Sequence, residues 1–190
     1  MTQPAFQTMS VEEYLRSEVE SPVRREYVNG FVYPLAQAGT ADAHAVISGN
    51  IFAALRPLAR RKGCVAYISD MRVTTVDRST YYYPDVMVTC EPFQAEARVK
   101  TSPVLLVEVL SRSTAHTDHF AKYHAYTALP SLQLYLLAEQ ETRLVYAYER
   151  TGERWVKREY RASDVIALPF LEGELTLDAI YEDVRPQQEG

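Results

Sequence analysis

The chain has 190 residues, 47 % of them hydrophobic and 24 % charged, with a formal net charge of −5. Those values bound one domain with a real core and exclude a disordered chain. No apolar run approaches the roughly 20 residues of a membrane span, no basic stretch leads into an apolar one at the N-terminus, and the acidic balance argues against non-specific coating of nucleic acid.

In chain order, Ser10 and Glu13 have capping-box spacing and open a short helix with Val11, Tyr14 and Leu15 on its inner face, ending before Pro22. Arg25 to Tyr33 reads as a hairpin about Asn29-Gly30, since a type I′ turn needs φ > 0 at both central residues. Val46, Ile47, Ile51, Ala54, Leu55 and Leu58 recur at helical spacing over Asp42 to Lys62, closed by Gly63. Pro57 inside that pattern predicts a kink or a shortened C-terminal end.

Beyond it the period becomes that of strands: Cys64 to Ser69, Met71 to Val76 and Tyr81 to Cys90, with a turn at Asp77 to Thr80. Val104 to Leu110 is a nearly continuous apolar run, as in a central strand covered on both faces. A helix over Thr117 to Leu129 stops before Pro130. Leu132 to Ala138, Arg143 to Glu149 and Arg154 to Tyr160 follow as strands, and Leu177, Ile180, Tyr181 and Val184 suggest a last helix. The expectation is an α/β or α+β fold, a mixed sheet flanked by helices around one core, as a single domain over 1–184 with a polar tail at 185–190. Cys64 and Cys90 are expected as two buried free thiols, and the cytoplasm as the location.

Glu108 is the most informative residue. It lies in the apolar strand with Leu106 and Leu110 on its own face, and an unpaired carboxylate there would cost several kcal/mol or lose its charge. A cation or a basic partner must compensate it. Asp85 follows Pro84, which favours a strand end or bend, so its side chain can be re-aimed. Two carboxylates on adjacent strands can supply oxygen ligands to Mg²⁺. Leu110, two residues after Glu108, cannot donate to a phosphate, but Lys122 on the next helix can; an ordinary surface pair with Asp118, four residues away, is the alternative.

Other candidates are weaker. Arg24-Arg25, Arg60-Arg61-Lys62 and Arg154 through Arg161 are local basic clusters that solvated faces explain as well. His116, His119 and His124 read as helix-surface histidines without a zinc signature. Ser111, Ser113 and Thr114 lack a nucleophile elbow, and no phosphate-cradling glycine loop is present.

Several stretches together resemble the bacterial Uma-type family of restriction endonucleases. They are Met9-Ser-Val-Glu-Glu-Tyr14, Arg25-Glu-Tyr-Val-Asn-Gly30, Ser69-Asp-Met-Arg-Val73, Tyr83-Pro-Asp-Val86, Val107-Glu-Val-Leu-Ser-Arg-Ser-Thr114, Asp118 through Lys122 with Tyr126, and Leu129-Pro-Ser-Leu132. The resemblance covers nearly the whole chain in order. It implies a restriction-endonuclease-like core of the PD-(D/E)xK superfamily, with Asp85 and Glu108 as the central acids, Lys122 as a displaced lysine and Glu26 as an additional acid. His44 matches a family histidine. Arg112 stands where the family commonly has proline, and Ala138-Glu139 where it tends to Val-Asp.

The expected chemistry is endonucleolytic hydrolysis of DNA leaving 5′-phosphate and 3′-hydroxyl ends, as the resemblance implies. Mg²⁺, or Mn²⁺ in its place, would be held by Asp85, Glu108 and the backbone carbonyl of Val109, with no small-molecule cofactor and no membrane partner. Cutting both strands points to a homodimer. The alternatives are a nuclease fold that binds nucleic acid or protein without cutting, and a hydrolase using two carboxylates on a glycoside.

Overall fold

The computed structural model describes residues 7–35, 42–110 and 118–184. After a two-residue strand β1 (Gln7–Thr8), α1 (Val11–Glu18) begins at a full capping box: Ser10 Oγ accepts from the Glu13 N–H, and the Glu13 carboxylate accepts from the Ser10 N–H. Asn29 and Gly30, at φ 49° and 93°, turn β2 (Arg25–Val28) into β3 (Phe31–Pro34). α2 (Asp42–Arg61) is not shortened by Pro57 and continues four residues past it. Pro57 and Ala53 are both exposed, so water can reach the carbonyl that the missing N–H leaves without a helical partner.

The stretch expected as one strand over Tyr81 to Cys90 is two. β6 (Thr80–Tyr82) and β7 (Val86–Thr89) are separated at Tyr83-Pro84-Asp85 and lie in different sheets. Pro84 cannot donate to a ladder, so pairing stops there and the chain crosses from one sheet to the other. The expected α+β fold of mixed sheet flanked by helices is present, its sheet divided into two six-stranded sheets with a separate hairpin.

The remaining elements are β4 (Val65–Ile68), β5 (Arg72–Thr74), β8 (Val99–Lys100), β9 (Pro103–Leu110), α3 (Asp118–Thr127), β10 (Leu134–Glu139), β11 (Leu144–Thr151), β12 (Arg154–Arg161), β13 (Val165–Leu168), β14 (Gly173–Thr176) and α4 (Leu177–Ile180). The first sheet has the order β1-β3-β2-β6-β5-β8, the second β12-β11-β10-β9-β7-β4, and β13 pairs with β14. Both large sheets are mixed, with β5–β8 and β9–β10 parallel. Parallel neighbours need a crossover, and α3 supplies it between β9 and β10.

Burial follows this layering. Val107 and Val109 of β9 face Ile51 and Leu55 of α2 together with Leu136 and Ile180. On its other face Leu106 and Leu110 meet Tyr126 of α3 and Val73 and Tyr82 of the first sheet. A third cluster, Tyr14, Tyr27 and Tyr81, fills the space beneath α1, with Tyr14 and Tyr27 stacked at 5.0 Å.

The expectation of two free thiols is also corrected. The β4–β7 register pairs Val65 with Thr89, which sets Cys64 opposite Cys90, and the two form a disulfide with a Cα–Cα distance of 4.1 Å. Among the described residues no helix is long and apolar enough to cross a membrane.

Leu136 is fully buried in β10, within the cluster under α2. Leu136→Ala should lower unfolding stability by about 2–5 kcal/mol in urea titrations. A loss below about 1 kcal/mol would mean that this face of the sheet is not closely packed.

Candidate active site

The β7–β9 register pairs Val86 with Val107 in antiparallel fashion, and one more step sets Asp85 opposite Glu108. Directly opposite residues share a face. For these two it is the face covered by α3 and the first sheet, since Met87 and Leu106, one alternation along, both belong to that cluster. The crossover after β9 folds α3 back over the same face. Lys122 and Tyr126, four residues apart, then point at Glu108 together.

Lys122 Nζ lies 3.2 Å from Glu108 Oε2 and 3.2 Å from Glu26 Oε1, and its side chain is only 8 % exposed. Tyr126 donates its hydroxyl to Glu108 Oε1 at 2.8 Å, so each oxygen of that carboxylate has a donor. Glu26 comes from β2 of the first sheet, where Tyr27 faces α1 and Glu26, by alternation, faces the second sheet. The Tyr83 N–H donates to Glu26 Oε1 at 3.4 Å, and the Tyr82 ring lies 5.4 Å from the Lys122 ammonium.

Asp85 is held from the other side. Its Oδ2 accepts the Val109 N–H at 2.7 Å and lies 3.3 Å from His44 Nε2 on the first turns of α2. Its backbone carbonyl accepts from the Ser69 N–H at 2.9 Å. Both side-chain bonds fall on Oδ2, which leaves Oδ1 without a partner among the described residues.

The electrostatics follow from that crowding. Burial pushes the Glu108 carboxyl up to about 8; Lys122 pulls it back, the charges of Asp85 and Glu26 raise it further, and the Tyr126 bond lowers it. The hydrogen bond to Asp85 raises the His44 imidazole above its ordinary value, against its partial burial. Burial and the neighbouring Glu108 charge keep the Tyr126 phenol protonated and thus a donor.

Three carboxylates therefore face one buried ammonium and one imidazole. Among the described residues no three His, Cys, Asp or Glu side chains converge on a single metal position. Mg²⁺ asks for less, one or two carboxylates with waters completing the shell. The open Oδ1 of Asp85 and the spare lone pairs of Glu108 fit that donor set, and a dication would offset both the burial that raises Glu108 and the Asp85 and Glu26 charges that add to it.

The structure thus brings Glu26, Asp85, Glu108 and Lys122 together. Val109 meets Asp85 through its N–H, a group distinct from the carbonyl expected to ligate a metal. Tyr126 stands out in the sequence only within a resembling stretch, although its i,i+4 spacing from Lys122 signals a shared target. Ser111, Arg112, Ser113, Thr114 and His116 lie outside the described residues, as do the side chains of Asp118 and His119, so the alternative pair of Asp118 with Lys122 does too. His124 is exposed on α3, apart from these groups.

Comparison with known proteins gives a consistent family. The family model described as "Uma2: Putative restriction endonuclease" matches residues 11–179. Two relatives come from Synechocystis: the uncharacterized protein slr1290 is 33 % identical over 178 residues, covering 93 % of each chain, and sll1609 is 32 % identical over 155 residues, covering 80 % of this chain and 86 % of its own. The crystal structure titled "a putative nuclease belonging to DUF820" from Anabaena variabilis shares the fold, with a TM-score of 0.71 over 91 % of this chain and 97 % of that one, at 15 % identity.

The Glu108 carboxyl has a pH consequence that chelated, metal-free protein can test. Between its ordinary 4.5 and about 8 the native carboxyl keeps a proton that the unfolded chain has lost, so stability should fall as pH rises through that window. Urea midpoints should drop from pH 5 to pH 8 in the wild type and drop less in Glu108→Gln. Identical slopes in the two proteins would contradict the burial assigned to this group.

Proposed function

The chain belongs to the Uma2 family, and from that premise we propose that it is a metal-dependent endonuclease hydrolysing phosphodiester bonds of DNA. The observation that carries this reading is the meeting of Glu26, Asp85 and Glu108 about the buried Lys122 ammonium, 3.2 Å from two of them. A salt bridge made only for stability does not need three acids for one ammonium and one imidazole, since uncompensated buried charge is costly.

In this reading Asp85 and Glu108 hold Mg²⁺, or Mn²⁺ in its place, with the backbone of Val109 beside them. When bound, the ion supplies a lowered water pKa and charge neutralisation at the scissile phosphate. Lys122 donates to a non-bridging phosphate oxygen, where its charge is worth most as negative charge builds up. Glu26 fixes the ammonium, Tyr126 orients the Glu108 carboxylate and His44 orients that of Asp85. Such supporting partners commonly matter 10–100-fold. A twofold pair of chains would bring one site to each strand of a duplex. We place the reaction in the cytoplasm, where a disulfide such as Cys64–Cys90 is uncommon.

A second reading, a nuclease fold that binds without cutting, is favoured by Leu110 in the place of a strand lysine and by the net charge of −5. Plasmid cleavage separates the two. Wild-type protein should cut with Mg²⁺ or Mn²⁺ and stop with a chelator. Lys122→Met and Asp85→Ala should each lose roughly 10²–10³-fold, and Tyr126→Phe about tenfold, with folding checked by thermal melts. Equal cleavage by wild type and Asp85→Ala would assign the activity to a contaminant, and binding without any cleavage would favour the second reading.

A further inference from the structure

The helix that carries Lys122 has a second face, and it is aromatic. Phe120 and His124 stand one turn apart on the side of α3 opposite Lys122 and Tyr126, with ring centroids 4.3 Å apart. Phe120 is 70 % exposed and lies two residues from the buried Lys122. Tyr123 faces sideways onto Tyr148 of β11 at 4.6 Å, and Tyr148 stacks on Tyr135 at 5.9 Å. Further along, Tyr146 lies under the Lys157 ammonium at 4.2 Å, and Trp155 lies under the Arg150 guanidinium at 4.6 Å.

Tyr123, Tyr146, Tyr148 and Trp155 all pack partly buried on the cluster that also receives α3, so this row lies on the Glu108 face of the second sheet. Its two cations have no carboxylate partner among the described residues. Arg150 spends its donors on the carbonyls of Leu132, Leu129 and Thr127 at the end of α3, and Lys157 meets only the Tyr146 ring. Uncompensated positive charge is notable in a chain of net charge −5.

We propose that this row, running from Phe120 over α3 to Tyr146 and Lys157 on the β11–β12 hairpin, binds the unpaired bases of a single nucleic-acid strand leading into the Lys122 site. The proposal rests on the nuclease reading and sharpens its substrate. Bases within a duplex have their faces covered by neighbours, so only an unpaired base can stack on an exposed ring such as Phe120. Rings beside an exposed cation are what single strands recognise without regard to sequence, the rings taking bases and Lys157 taking a phosphate, while Arg150, bonded to three carbonyls, holds Trp155 in place. A purely apolar protein partner would instead meet the exposed Lys157 ammonium over the Tyr146 ring.

Trp155 is the only tryptophan in the chain, so its emission reports directly on the row. Full-length protein in chelator should bind an oligothymidylate of about 12 nucleotides with a saturable change in Trp155 fluorescence, at least about tenfold more tightly than a blunt duplex of equal length. Phe120→Ala and Tyr146→Ala should each weaken strand binding about tenfold and leave duplex binding within about twofold. Phe93→Ala, which removes an exposed phenylalanine from the loop between β7 and β8, should change neither.

Equal strand affinity in wild type, Phe120→Ala and Tyr146→Ala would overturn the proposal, as would strand binding that leaves Trp155 unperturbed. An acidic polypeptide that perturbs Trp155 while the oligonucleotide does not would reassign the row to a protein partner. Plasmid cleavage by wild type with no Trp155 response would remove this inference alone. A Trp155 response to strands without any cleavage would uphold the row and remove the nuclease reading.

Discussion

A carboxylate in the middle of an apolar strand is the constraint around which the rest of the site is arranged. Glu108 lies in β9 between Leu106 and Leu110, beneath α3 and the first sheet, with a side chain only 13 % exposed. Left alone there it would stay protonated or destabilise the fold. The surrounding elements each answer that charge: α3 brings Lys122 and the Tyr126 hydroxyl, and β2 brings Glu26 to the far side of the ammonium. The answer is incomplete, because burial still holds the carboxyl well above its ordinary value, with Lys122 opposing that effect and Asp85 and Glu26 adding to it. That residual cost of the charged form is the basis on which a dication is proposed for the site.

The break at Tyr83-Pro84-Asp85 is the second organising feature. By ending β6 in one sheet and starting β7 in the other, it places Asp85 at the point where the two sheets meet. The Val109 N–H and His44 then hold the carboxylate by one oxygen. Acids from both sheets thus converge without any of them lying on a flexible tip, which suits a site whose geometry must be set before substrate arrives.

Much of this was legible in the sequence where the signal is local. The Ser10–Glu13 box, the Asn29-Gly30 turn, the apolar run of β9 and the helix before Pro130 each follow from a few adjacent residues, and all four are present. Glu108 was conspicuous for the same reason: one charge in an apolar run. What escaped is non-local. Two sheets cannot be told from one without pairing information, and Pro84 was visible as a bend but not as a change of sheet. The short β8 and the β13–β14 hairpin carry too few residues for a period to show. The disulfide depends on the β4–β7 register, which no spacing reveals. Lys122 was found by elimination at Leu110 and by resemblance, and only the βαβ crossover explains physically why it reaches Glu108.

The central claim is that Asp85 and Glu108 form the seat of a divalent cation, with Lys122 beside it. The most direct measurement is an anomalous difference map from crystals soaked in Mn²⁺. One peak is expected within coordination distance of Asp85 and Glu108 oxygens, about 2.1 Å as for the hard Mg²⁺ ion, with Lys122 still bonded to Glu26. No peak there at saturating Mn²⁺, with Glu108 still closed onto Lys122 and Tyr126, would contradict it.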